Sequence, residues 1–149
     1  FALLGGTPPA GGTCIAAYRN RVWIGYGLSL SYSNDGTPED WTTNPGAGTL
    51  PIPALLSTKV VALVAFYTRM LILCDNEVFE LTGSGPSDFA MNLVSSIYGN
   101  EATAEAAVIA GNDVYWASTK GIHRLSVTDA NANIGYLAEY DASALILPT

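Results

Sequence analysis

One pattern of strand, two-residue turn, strand, short turn and strand is written three times in order, and that repetition limits the fold more than any other feature. The first copy runs Cys14-Ile15-Ala16-Ala17-Tyr18, Arg19-Asn20, Arg21-Val22-Trp23-Ile24-Gly25, then Ser29-Leu30-Ser31-Tyr32-Ser33. The second runs from Val60 to Phe66, Tyr67-Thr68, Arg69 to Leu73, then Glu77 to Leu81 across the turn Asp75-Asn76. The third runs from Ala104 to Ala110, Gly111-Asn112, Asp113 to Ala117, then Ile122 to Leu125 across Thr119-Lys120-Gly121. Val22, Met70 and Val114 are equivalent positions, 48 and 44 residues apart. Connections this short pair strands antiparallel, so each unit is a meander.

The units occupy roughly 13–33, 59–82 and 104–126, with a Pro- and Gly-rich connector over 34–58. Thr49-Leu50-Pro51-Ile52 in that connector, and Phe89 to Val94 in the next, read as a fourth, outer strand for the first two units. Four-stranded units with a period in the mid-forties predict β-propeller-like blades, about three of them, in an all-β chain of 149 residues forming a single domain or part of one. The alternative is a β-sandwich with look-alike hairpins. Propellers close with about four to eight blades, so three need completion from a longer chain, from neighbouring subunits or by another closure. The opening Phe1, in place of Met, reads as a processed chain or a segment of a longer one.

Charge narrows the function classes. Thirteen Asp and Glu against six Lys and Arg give a net charge of -7, which argues against phosphate contact and specific nucleic-acid binding. The apolar runs are interrupted well before the ~20 residues of a spanning helix, so no membrane insertion is expected. Cys14 and Cys74 lie in apolar strand-like runs and read as reduced, buried thiols.

Motifs for catalysis are missing. His123 is the single histidine, so no two-histidine zinc site exists; it stands mid-strand where the second unit has Phe79. Ser29, Ser31 and Ser33 alternate along one strand face with no nucleophile elbow around them. The Gly5-Gly6 and Gly11-Gly12 pairs lack the lysine of a phosphate loop. No cofactor, metal or enzymatic activity is expected. Asp35, Glu39 and Asp40 read as a solvated acidic turn, because the spacing of a calcium loop is not there.

The stretch Ser33-Asn34-Asp35-Gly36-Thr37-Pro38-Glu39-Asp40-Trp41 resembles the Asp-box of sialidase-type propellers but departs from it. Gly36 follows Asp35 directly, Trp41 comes six residues after it, and the stretch lies after the last strand of the unit. Two longer stretches, "YRNRVWIG…LSYSNDGTPEDW" and "RMLILCDNEVFELTGSGPSDF…SIYGNEATAEAAVIAGNDVYWASTKGIHRLS", resemble bacteriophage tail and connector proteins, such as the propeller-bearing nozzle and hub components of short-tailed phages. The resemblance covers most of Tyr18 to Ser126. It implies a virion structural part that forms a rigid ring or barrel segment, with other tail or connector proteins and copies of itself as partners, and with DNA passing through a lumen. Trp41 and the apolar run Leu145-Ile146-Leu147 are the candidate contacts, and the run is expected to pair with another strand. The alternative function is a carbohydrate-binding propeller or lectin module for host-surface glycans, with Trp23, Tyr26 and Trp41 as aromatic platforms.

Overall fold

The computed structural model describes residues 6–96, 99–100, 106–127 and 137–141. Twelve strands, and no α-helix among the described residues, form three four-stranded antiparallel sheets in chain order. The first sheet holds β1 (Cys14–Tyr18), β2 (Arg21–Tyr26), β3 (Ser29–Tyr32) and β4 (Gly48–Pro51). The second holds β5 (Val60–Phe66), β6 (Arg69–Cys74), β7 (Val78–Thr82) and β8 (Ala90–Ser95). The third holds β9 (Ala107–Ala110), β10 (Asp113–Ser118), β11 (Gly121–Val127) and β12 (Leu137–Asp141). The fold is therefore all-β and built of repeated meanders. The outer strands expected near Thr49 and Phe89 are β4 and β8; β12 completes the third sheet with a strand the sequence reading did not mark.

The first strands of successive sheets are neighbours, β1 beside β5 and β5 beside β9. Each sheet thus has a leading face toward the sheet before it and a trailing face toward the sheet after. One core cluster joins Cys14, Tyr18, Trp23, Leu30 and Tyr32 to Leu63, Met70, Ile72, Phe79 and Leu81. The other joins Ala62, Phe66, Leu71, Leu73 and Val78 to Val114, Trp116 and Leu125. The second sheet is covered on both faces, which explains why Met70-Leu71-Ile72-Leu73-Cys74 is continuously apolar instead of alternating: even positions serve one cluster and odd positions serve the other. In β2 only one face is covered, and burial alternates along it.

The two-residue turns at one end tie the sheets together. Arg19 and Asn20 both adopt positive φ (51° and 57°), as the tightest hairpin turn demands. The Tyr18 hydroxyl donates to the Thr68 carbonyl at 2.6 Å, and the Tyr67 hydroxyl donates to Asn112 Oδ1 at 2.9 Å, so each turn is bonded to the next. Close approach also fixes Gly25: a Cβ there would lie 2.6 Å from Cys14 Sγ and 2.7 Å from Val60 Cγ1. Both cysteines are free and buried as expected. Burial pushes the Cys74 thiol up to about 12, with Asp75 and Glu77 adding to the effect, and burial also raises Cys14.

Candidate functional site

Sheet pairing decides where the aromatic candidates go. Trp23 lies opposite Ala16 and Tyr32 on the trailing face of the first sheet and is fully buried. Its ring packs 4.9 Å from Tyr32 and edge-on to Phe89 at 5.1 Å, and its Nε1–H donates to the Tyr18 carbonyl at 3.0 Å. Trp23 is a core residue, not a glycan platform: its odd-numbered position faces the second sheet, and no ring face is left for a ligand.

Tyr26 and Trp41 do come together. Tyr26 is on the opposite, leading face, and Trp41 arrives there because the loop after β3 folds back. With Thr7, Pro9, Ser31, Gly48 and Thr49 they line a cleft of about 230 Å³. Its floor is a chain of hydroxyls: Tyr26 Oη is 3.3 Å from Ser31 Oγ, which is 2.7 Å from Thr49 Oγ1. Ser31 is buried here in spite of the polar sheet face its alternation suggested; Ser33 is buried too, and its hydroxyl accepts the Val22 N–H at 2.9 Å.

The loop that delivers Trp41 is held by its own side chains. Asp40 Oδ1 accepts the N–H groups of Thr42 and Thr43 at 3.1 and 3.0 Å, and its Oδ2 accepts from Asn34 Nδ2 at 3.1 Å. Hydrogen bonds from the Thr43 side chain and from the Thr42 and Thr43 backbone bring its carboxyl down to about 2. Asn20 Nδ2 donates to Asp35 Oδ1 at 2.9 Å, clamping the loop to the β1–β2 turn. Asp40 therefore departs from the expected solvated turn. It is buried because backbone donors replace its water. No group of three or more metal-ligating side chains occurs among the described residues.

A serine–histidine pair also emerges, Ser118 Oγ lying 2.7 Å from His123 Nε2. The imidazole is fully buried beside the Trp116 ring at 5.5 Å, and Ser118 Oγ also accepts the Lys120 N–H. Through these two contacts Ser118, half-buried at the end of β10, ties the β10–β11 turn to the imidazole. Sequence spacing alone gave no sign of the pair, which the hairpin register creates.

A second structural carboxylate, Glu77, is buried and accepts the N–H groups of Leu55, Leu56 and Ser57 at 3.3, 3.1 and 2.9 Å. Burial by itself raises its carboxyl, but these hydrogen bonds together outweigh burial and leave it below its ordinary value.

The leading face of the first sheet and the trailing face of the third lie outside both core clusters. On the first, Ile15 is 68% exposed next to its cross-strand partner Ile24; on the other, Val108 is 58% and Ile122 38% exposed, flanking Tyr115 and Ala117. Pro8 and Pro9 stand over Ile15 and Ile24 and leave a second cleft of about 330 Å³. The run Leu145-Ile146-Leu147 falls outside the described residues. Against known proteins, no family model matches the chain and no curated protein matches it.

Proposed function

We propose that this chain is a non-enzymatic structural component of a bacteriophage virion, a tail or connector part that acts through contacts between subunits. The observation that carries this reading is the pair of open sheet faces. A middle sheet buried on both sides is flanked by two sheets that each present branched apolar side chains to solvent, a surface suited to packing against further protein. The net charge of -7 agrees with a conduit wall that does not retain DNA. Immunogold labelling of purified particles made by the encoding genome tests it. Label at the tail or connector is expected; particles without the chain refute it.

The cleft of Tyr26 and Trp41 favours a second reading, carbohydrate binding. Two aromatic rings above a row of hydroxyls offer a stacking surface and hydrogen-bond partners for a sugar hydroxyl. A glycan array with the wild-type chain and Trp41→Ala tests this reading. Binding that the substitution abolishes supports it, and a blank array refutes it.

A further inference from the structure

We propose that the cleft of Tyr26 and Trp41 takes the uncharged ring of a neutral sugar and turns away acidic sugars, whether uronic, sialic or sulfated. The inference rests on the carbohydrate reading above and names the ligand class of that site.

The hydrogen-bonding capacity of the floor sets the first limit. Tyr26, Ser31 and Thr49 bring three hydroxyl protons, and the two contacts along the row use two of them. One proton is left to donate, against a surplus of lone pairs that accept. Ser31, in the middle of the row, is buried and bonded on both sides, so the three hydroxyls act as one unit. A sugar hydroxyl gives a proton and takes one, so adjacent hydroxyls on a ring match such a floor. A carboxylate or sulfate only accepts, and it would meet one donor where it needs several.

Charge sets the second limit. None of the described residues lining the cleft is charged. The loop that delivers Trp41 brings Asp35, Glu39 and Asp40 with it and holds no Lys or Arg from Asn34 to Ala47. Arg21 shares β2 with Tyr26, but its odd-numbered position turns it to the trailing face. There it is buried, donates to the carbonyls of Ser33 and Gly46, and holds its guanidinium carbon 5.7 Å from the centre of the Tyr32 ring. An anion entering the cleft would lose its hydration beside carboxylates, with no cation at hand to compensate.

Size sets the third. About 230 Å³ is less than the roughly 300–1,000 Å³ of clefts that enclose drug-sized ligands, so the site holds one ring. That ring offers its C–H face to the aromatic side chains and its hydroxyl edge to the floor.

A glycan array tests the proposal, with terminal hexoses printed beside their uronic acid and sulfate-ester counterparts and beside sialylated termini, read at low and high salt. The wild type is expected to retain neutral termini at least about tenfold more tightly than their acidic counterparts. Salt should leave the neutral signal unchanged. Thr49 is exposed on β4, and Thr49→Lys sets an ammonium at the end of the row; it should shift the preference toward the acidic termini by about tenfold or more. Equal or tighter binding of the acidic termini by the wild type overturns the proposal and leaves the carbohydrate reading standing. So does an unchanged preference in a Thr49→Lys variant whose far-UV circular dichroism is that of the wild type, because the sugar would then sit elsewhere on the chain. A blank array removes the carbohydrate reading and this inference with it.

Discussion

Replacing Trp23 with Ala tests the assignment that departs most from the sequence reading. The indole is fully buried among Tyr18, Tyr32 and Phe89. Aromatic side chains bury roughly 150–250 Å² each, which at about 25 cal/mol per Å² gives roughly 4–6 kcal/mol. Residual burial in the unfolded chain lowers this by roughly 10–40%, to about 3–5 kcal/mol, the range found when large aromatic core residues are truncated. The Tyr18 carbonyl also loses its indole donor, adding about 1 kcal/mol. We expect a loss of about 4–6 kcal/mol, a large share of the roughly 5–15 kcal/mol that holds a domain together. Urea denaturation at neutral pH measures it, with Trp23→Phe as the milder companion should the alanine variant not fold; this keeps a ring and should lose about 1–3 kcal/mol with the N–H donor. Trp41→Ala, at the half-buried cleft, should cost about 1 kcal/mol or less. If Trp23→Ala costs no more than Trp41→Ala, the packing of the first sheet on the second is wrong.

Three further outcomes follow from the same geometry. Glu77→Gln should lose about 1.5–3 kcal/mol at neutral pH in a denaturant titration, since three backbone donors keep only a neutral acceptor. Glu77 has a folded value below its ordinary one near 4.5, so its contribution is complete above that value and is lost as pH falls through the folded one; Glu77→Gln should flatten this acid limb, and an unchanged limb would refute the assignment. Cys14 and Cys74 should resist a thiol reagent in the native protein at neutral pH and react fully in denaturant, and rapid native labelling would contradict their burial. Gly25→Ala should destabilise by roughly 1–3 kcal/mol in thermal or urea unfolding, because its new methyl meets Cys14 and Val60; a neutral result would show that β2 and β5 have room to separate.

The sequence by itself determined the strands, their order within each meander and the three-fold repetition, because side-chain alternation and two-residue turns are local properties. It also marked β4 and β8, since outer strands alternate in the same way. It missed β12, which follows a longer connection with no tight-turn signal. The sheet-to-sheet packing, and not the residue type, decided the role of each aromatic. Trp23 and Tyr26 lie three positions apart on one strand, and the two-residue period sends them to opposite faces, one enclosed by the second sheet and one left beside Trp41. Asp40, Glu77 and the Ser118–His123 pair likewise found their partners only through folding. A carboxylate's character depends on which backbone donors reach it, and those donors lie up to 22 residues away for Glu77. Which faces pack was decided at the same level: each strand alternates locally, and only the stacking of the three sheets shows that, among the described residues, the second is covered on both faces while Ile15 on the first and Val108 on the third are exposed.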